Sequence, residues 1–320
     1  MDGLWLKSAR DLIEKAMKTL KALLIVVIAM STPEAMSQQE AQFTQYMDNT
    51  LFVNPAYAGS NGALNATAIH REQWVGVDGR PRSTTFSLHT PLKYESIGVG
   101  LTVVNDVIGP IQQTQFYGDF SYTLRFKNSP GKLSFGVKGG VNMLNSRTDQ
   151  LGTTDANDPE FMTNIQNSIN PNFGGGIYYH APAWFVGLST PRVLEANYEG
   201  SVNAKERRHY YFIGGAVFDI ARQWKLRPTT SVKVTDGAPL SVDLSAAGIY
   251  NERLWLGLTH RFGDSFGAFV QYQLSPQFKA GLAYDQTITP LASYNVGSYE
   301  VLLSYDFYWK DKGVKSPRYF

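Results

Sequence analysis

Short segments of alternating apolar and polar residues recur about fourteen times after residue 60, and none contains a long apolar run. In the last segment, Tyr299 to Trp309, every odd position is aromatic or aliphatic, whereas the even positions include Glu300, Ser304 and Asp306. Because successive side chains of a β-strand point to opposite faces, each segment would have one apolar and one polar face. Many such strands are typical of a transmembrane barrel with a lipid-facing exterior and a polar interior.

The alternation therefore predicts an all-β fold, a transmembrane antiparallel β-barrel of about 14 strands with a short periplasmic N-terminal segment. Closure is favoured because a sheet in lipid must have no unpaired edge. A soluble β-sandwich or propeller is the alternative, with the apolar face on a core. The predicted strands are 62–75, 82–91, 95–106, 112–127, 132–146, 171–180, 183–190, 206–219, 224–236, 240–250, 253–262, 266–275, 278–286 and 297–309.

The predicted connections alternate between tight turns and segments that are longer on average, the longest being 147–170 and 191–205. In outer-membrane barrels the short turns face the periplasm. An even number of strands then places both barrel termini on the periplasmic side, followed by a C-terminal tail at 310–320. The barrel itself is predicted to occupy residues 62–309.

The N-terminus has the pattern of a secretory signal peptide over residues 1–37. A nine-residue apolar run, 22–30, follows two lysines and precedes Pro33, and Ala35-Met36-Ser37 offers small residues for cleavage before Gln38. Nine residues cannot span a hydrocarbon core ~30 Å thick. Acidic residues before the run are unusual for such a signal, so Met17 is an alternative start.

Composition narrows the possible functions. The formal net charge is +2, and no dense run of Lys or Arg suggests a nucleic-acid partner. The chain has no cysteine, which excludes disulfides, thiolate catalysis and cysteine-ligated zinc. No segment approaches ~18 consecutive apolar residues, so no transmembrane helix is predicted.

Charged residues on the polar register are predicted to point into the barrel, since a charge facing lipid at mid-depth costs ~2–4 kcal/mol. Their mixed signs indicate cross-strand ion pairs, either lining a selective pore or forming a structural network in a plugged barrel. These residues are Asp119, Arg125, Lys138, Lys233, Asp243, Arg261, Lys279, Asp285, Glu300 and Asp306. Aromatic residues at strand ends fit interface girdles or, for some, core packing: Trp74, Trp184, Trp224, Trp255, Tyr308 and Trp309.

No catalytic, cofactor-binding or metal-binding residues are predicted. The five histidines form no zinc-binding pair, and Gly174-Gly175-Gly176 lies in a strand pattern rather than a phosphate loop. A barrel hydrolase such as a phospholipase would need a Ser, a His and a polar orienting residue converging on the outer wall, and Ser87 and His89 share one strand face. Nothing else in the sequence favours that enzyme.

Residues 38–59 do not alternate and contain Asn54-Pro55-Ala56-Tyr57-Ala58-Gly59, in which Pro and Gly favour a specific turn. With residues up to 61, this N-terminal segment would be disordered, would plug the lumen, or would cap the periplasmic mouth.

Six motifs resemble the PorP/SprF family over the whole mature chain. They are Ala41-Gln42-Phe43-Thr44-Gln45-Tyr46-Met47 with the 54–59 motif, 71–81 (REQWVGVDGRP), 170–179 (NPNFGGGIYY), 187–191 (GLSTP) and 316–320 (SPRYF). The resemblance implies a non-enzymatic outer-membrane component of the type IX secretion system of Bacteroidetes. Such a component supports export or surface attachment of secreted proteins or adhesins in gliding motility.

The implied partners are outer-membrane lipid, periplasmic ring components of the secretion machine, and a surface adhesin or secreted cargo. Candidate partner contacts are Asn54, Pro55, Tyr57, Gly59, Arg71, Trp74 and Arg318. The long loops are expected to face the adhesin or cargo, or to be plain solvated cover. The alternative function is an outer-membrane porin or small-solute channel.

Overall fold

The computed structural model describes residues 41–92, 96–147, 165–195 and 207–307. The strands among them form one antiparallel sheet, in which strands that follow one another along the chain are hydrogen-bonded neighbours. Its segments are β1 (Leu64–Glu72), β2 (Arg82–Pro91), β3 (Ile97–Ile108), β4 (Ile111–Arg125), β5 (Lys132–Ser146), β6 (Ile165–Ala181), β7 (Trp184–Thr190), β8 (His209–Ala216), β9 (Phe218–Ala221), β10 (Trp224–Thr235), β11 (Ser241–Tyr250), β12 (Leu254–Arg261), β13 (Ser265–Gln273), β14 (Phe278–Thr287) and β15 (Ser298–Phe307).

The sheet closes on itself into a barrel of fourteen strands. β1 pairs with β15, so that Leu64 lies opposite Phe307 and Glu72 opposite Tyr299. β8 and β9 are two parts of one barrel strand, because both pair with β10 in a continuous register on either side of Val217. The predicted closed, antiparallel barrel of about 14 strands is confirmed. Among the described residues, no helix has the length and hydropathy needed to span a bilayer.

Strand boundaries differ from the predicted ones mainly at the longer connections. β6 begins at Ile165, so the end of the predicted 147–170 loop is strand rather than loop. β1 ends at Glu72 instead of residue 75, because Gln73–Pro81 folds back on itself: the Gln73 amide donates to the Pro81 carbonyl at 2.9 Å. The predicted connection at 107–112 is a tight turn at Gly109-Pro110, with Ile108 paired to Ile111.

The two faces of the wall have the expected chemistry. The outward residues of β4 and β5, such as Phe116, Phe120 and Val137, are exposed, whereas the alternate residues Asp119 and Lys138 are buried inside. The same alternation continues to β15, where Tyr299, Val301 and Leu303 face outward and Glu300 and Leu302 face inward. A continuous apolar exterior with a polar interior is the arrangement of a barrel in lipid.

Most of the predicted inward charges lie inside the barrel and pair across strands. Asp119 faces Lys138 across β4 and β5, with carboxylate and ammonium 3.4 Å apart. Arg261 contacts Asp243 at 2.6 Å across β11 and β12. Arg125 is the exception, since it lies exposed at the end of β4.

The aromatic residues at strand ends divide between the two faces. Trp184 and Trp224 are exposed on the outer wall. Trp255 instead points inward and is buried against Met47, so this residue belongs to the core and not to a lipid interface. Trp74 is half-buried in the β1–β2 connection. Tyr308 and Trp309, the predicted signal peptide and the 310–320 tail lie outside the described residues.

The barrel has two distinct ends. At the turn end, strands join through tight connections such as Pro182-Ala183, and β1 begins and β15 ends there. At the loop end, residues 73–81 pair with residues 288–297: the Val75 amide donates to the Gly297 carbonyl and the Val296 amide to the Val75 carbonyl, both at 2.8 Å. The expected alternation of connections therefore holds on average, with exceptions such as Gly109-Pro110.

Candidate functional site: the filled lumen

Residues 41–59, called the plug below, run through the interior of the barrel. The plug contains a short helix, Thr50–Val53, flanked by the single-turn 3-10 helices Tyr46–Asp48 and Pro55–Tyr57. Its apolar side chains join inward residues of the wall in three buried clusters, and the plug members of those clusters are Phe43, Met47, Leu51, Phe52, Ala56, Tyr57 and Ala58. Of the three possibilities left open by the sequence, the structure shows the segment inside the lumen.

The plug crosses the lumen from the loop end to the turn end. Thr44 and Gln45 contact Asp285 and Glu300, which lie in the loop-end halves of β14 and β15. Fifteen residues later, the Gly59 amide donates to Nδ1 of His89 at 3.1 Å, near the turn end of β2. The plug is therefore continuous with β1 at the turn end, and its N-terminal side lies at the loop end.

A buried cluster of charges holds the loop-end side of the plug. Arg71 of β1 donates to Asp285 at 2.6 Å and to Thr44 Oγ1 at 2.7 Å, and it lies 3.4 Å from Glu300. Glu300 accepts the backbone amides of Thr44 and Gln45 at 2.8 and 2.9 Å. All these carboxylates and the guanidinium are shielded from solvent, so each depends on the others for compensation.

A second group of charges holds the middle of the plug. Asp48 contacts Lys279 at 2.6 Å and lies 3.6 Å from Arg227, and it accepts from the Gln271 amide at 2.7 Å. Its partners come from β10, β13 and β14. A single plug carboxylate thus links three strands that lie far from the plug in sequence.

In a third contact the charge belongs to the wall and not to the plug: Lys138 binds carbonyl oxygens of the plug. Its Nζ donates to the carbonyl oxygens of Leu51 and Phe52, both at 3.0 Å. Both carbonyls belong to the short helix of the plug. They lie toward its C-terminal end, where carbonyl oxygens lack intrahelical partners and a positive charge is electrostatically favoured. Asp119 supplies the compensating negative charge.

Ser87 and His89, the residues considered for hydrolysis, both face the lumen and contact the plug. Ser87 Oγ donates to Asn49 Oδ1 at 2.6 Å, and Asn49 in turn donates to Thr85 at 2.9 Å. His89 accepts from Gly59 and packs edge-on against Tyr57. Their position on the inner wall differs from the outer-wall arrangement that a barrel hydrolase requires. Among the described residues, no three His, Asp or Glu side chains converge as metal ligands.

The Asn54–Gly59 turn fits closely against glycines of the wall. Asn54 Oδ1 accepts from the Ala56 amide at 3.0 Å, and its Nδ2 donates to the Ile177 carbonyl at 3.0 Å. A Cβ added at an inward glycine beneath the plug would collide with plug atoms. These glycines are Gly98, Gly136, Gly176, Gly187 and Gly281. Since none of them has a positive φ, the need for glycine there is steric. Gly98 and Gly136 leave room for the plug backbone, and the other three leave room for the side chains of Asn54 and Gln45.

Little space remains between the plug and the wall of β8 to β12. The cavity there has a volume of about 40 Å³ and is bounded by Tyr46 and Phe52 of the plug and by Lys233, Asp243 and Arg261 of the wall. A cavity needs ~10–15 Å³ of such space to hold one water. This part of the lumen thus has room for only a few waters.

The predicted contact residues occupy different environments. Asn54, Pro55 and Tyr57 are buried against the wall and are not presented to a partner in this conformation, while Gly59 is half-buried at the turn end. Arg71 is buried in the charge cluster. Trp74 lies in the loop-end connection with φ 54°, and its amide donates to Ser298 Oγ at 3.2 Å. Arg318 lies outside the described residues. Their partner role stays a prediction, which the burial of the first three disfavours.

Sequence reasoning missed the plug residues that bind the wall, namely Thr44, Gln45, Asp48 and Asn49. Their polar types alone do not distinguish a disordered segment from a plug. The glycines at inward strand positions were the available signal, since an inward glycine in a strand often marks the close approach of another backbone.

A closed antiparallel barrel with an apolar exterior, a charged interior and a chain segment filling its lumen is an integral outer-membrane protein of the plugged β-barrel class. The chain matches the family model described as type IX secretion system membrane protein PorP/SprF over residues 35–305. It belongs to that family, which agrees with its outer-membrane location.

No curated protein matches the chain. Three similar solved structures are distant in sequence. The outer membrane protein Omp33 of Acinetobacter baumannii is 8% identical, with 77% of this chain and 100% of that chain covered and a TM-score of 0.44. The CymD monoaromatic hydrocarbon channel is 11% identical, with 82% and 93% covered and a TM-score of 0.47. The Ralstonia pickettii toluene transporter TbuX is 8% identical, with 81% and 93% covered and a TM-score of 0.47.

Proposed function

We propose that this protein is a non-enzymatic, structural component of the type IX secretion machine in the outer membrane, supporting export or surface attachment of secreted proteins or adhesins, including those used in gliding. Periplasmic ring components of that machine would contact its turn end, and cargo or adhesin its loop end. Family membership supports the secretion role.

The filled lumen is the observation that favours a structural component over a porin. Three apolar clusters and two groups of charges hold the plug against the wall, and the cavity between the plug and β8 to β12 measures only about 40 Å³. General porins instead keep a water-filled channel. A barrel closed by its own chain is suited to holding partners at its two rims rather than to solute diffusion.

Planar-bilayer recording of the purified mature protein separates the two functions. We expect no steady conductance, because the plug occupies the lumen. A steady open current in most insertions would contradict the proposal and favour a small-solute channel.

Deletion of the gene in its native host tests the secretion role itself. We expect specific surface-attached or secreted proteins to disappear from the cell surface and medium and to return on complementation. Outer-membrane proteins that use other routes serve as the control and should stay unchanged. Normal secretion and normal spreading on a surface after deletion would refute the role, whatever the conductance.

A further inference from the structure

The outer wall carries an apolar groove of about 760 Å³ across β8, β10 and β11. Its floor is formed by residues with small or compact outward side chains, and its sides by Phe212, Phe218, Leu244, Leu258 and Phe266. The floor residues are Gly214, Ala216, Pro228, Thr230 and Ala246.

Register explains why the depression lies here. Pro228 is opposite Ala246, which in turn is opposite Leu258. Thr229 pairs with Gly215 and Leu226 with Phe218, so the continuous register brings Ala216 beside Pro228. Three compact outward residues therefore adjoin one another across three strands. Phe218 and Leu226 rise on the turn side of this row, and Leu244 rises on the loop side.

Leu258 forms the end wall of the groove. It is flanked by Ala246 on β11 and Ala268 on β13, and as a result its side chain is 70% exposed. Pro228 also interrupts the backbone ladder, because proline has no amide to donate to the neighbouring strand. Gly214 has no positive φ, and a Cβ there would meet only ordinary contacts. Backbone conformation and crowding thus give no reason for a glycine at this position of the floor.

We propose that this groove binds an acyl chain of an outer-membrane phospholipid. The groove is continuous with the apolar exterior that contacts lipid, so a hydrocarbon chain reaches it without crossing water. Its volume lies within the ~300–1,000 Å³ typical of small-ligand sites. A membrane-spanning helix, ~10 Å across and ~30 Å long, would need roughly 2,000 Å³ or more, which is more than twice the volume of the groove. A partner strand has no free backbone edge to pair with in a closed barrel.

Ala246→Phe tests the assignment, because it fills the floor with apolar bulk and leaves the lumen untouched. Val137→Phe is the matched control, since Val137 is outward and exposed on β5, outside the groove. Each detergent-purified barrel is incubated with dioleoylphosphatidylethanolamine, washed, and examined by native mass spectrometry. Heat-modifiable gel mobility establishes that each variant is folded.

We expect the wild type and Val137→Phe to retain at least one phospholipid and Ala246→Phe to retain it at least ten-fold less often. Should Ala246→Phe fail to fold, Leu258→Ala takes its place, since loss of the end wall should weaken retention by several-fold. Equal retention by the groove variants and the control, or no retention by the wild type, would overturn the proposal. So would a photocrosslinker at position 246 that captures protein rather than lipid in native membranes.

Discussion

Val137 and Lys138 are neighbours on β5 and yet belong to two regions with different requirements. The Val137 side chain is 60% exposed on the outer wall, where hydrocarbon accepts any apolar residue of suitable size. Lys138 is buried on the inner wall, where it binds two plug carbonyls and one carboxylate at defined distances. The outer wall should therefore tolerate substitution of one apolar side chain by another, whereas the inner wall needs particular atoms at particular positions.

The reason is the difference between the two surroundings. Lipid is fluid and adapts to the outer surface, so its contribution depends on polarity and depth. The plug is a single chain segment in one conformation, and a buried charge or polar group facing it must have its particular partner. Four substitutions test this contrast.

Gly136→Val should have the largest effect, because a side chain there collides with Pro55 and Ala56 of the plug. We expect the plug to leave its position while the strands stay paired, so that planar-bilayer recordings change from silent to a steady open conductance. Gly139→Val on the same strand is the control, since its Cβ would meet no atom within 4 Å. A silent Gly136→Val barrel that is folded would show that the inner wall is less exacting than inferred.

Lys138→Met should lower the free energy of unfolding by about 3–5 kcal/mol, because it leaves Asp119 as a buried carboxylate without its cation. Equilibrium unfolding in urea, followed by tryptophan fluorescence in detergent micelles, measures this change. Adding Asp119→Asn to the same chain should restore a large part of the loss. If the single variant were as stable as the wild type, the ion pair would not contribute to holding the plug.

Leu101→Arg tests the outer wall, where Leu101 lies near the middle of β3 and is exposed. A charge in the centre of the lipid-facing belt should cost about 2–4 kcal/mol of unfolding free energy. Val107→Arg, on the same face at the loop end of the same strand, should cost only about 0–1 kcal/mol. Equal costs at the two depths would argue that this face is not covered by lipid.

Glu72→Gln should have the smallest effect. Arg80 donates to one Glu72 oxygen at 3.0 and 2.8 Å, but both side chains are about one-third exposed at the loop end. Exposed pairs contribute about 0–1 kcal/mol, and salt screens them. The difference from the wild type in the urea midpoint should shrink further in high salt. A loss of unfolding free energy as large as that of Lys138→Met would contradict the distinction between the exposed loop end and the buried interior.

Much of the barrel could be predicted from the sequence, because a period of two is a local property of each strand. The alternation from Phe116 to Phe126 specifies which residues face outward before any pairing is known. Boundaries were less predictable where tertiary contacts decide them. β1 stops at Glu72 because Gln73 and Val75 bond to loop residues, and β6 extends back to Ile165 because it pairs with Ser146.

The candidate site was only partly predictable, since its contacts join residues up to 256 positions apart. The sequence singled out the 38–59 segment and placed Asp285 and Glu300 on the inward register. It did not show that Thr44 and Gln45 bind those carboxylates, or that Arg71 lies between them. Trp255 illustrates the same limit: its type suited a lipid interface, whereas its register turns it toward Met47.

By itself the sequence determined the fold class, the inward direction of most charges and the resemblance to the family. The reason is that the hydropathy period and short motifs are local properties of the chain. Only the tertiary structure decided that residues 41–59 fill the lumen and that Pro228 and Ala246 lie side by side in a groove. The first depends on closing the barrel, which brings distant strands together around a segment that has no periodicity of its own. The second depends on the register between neighbouring strands, which decides which outward residues lie side by side.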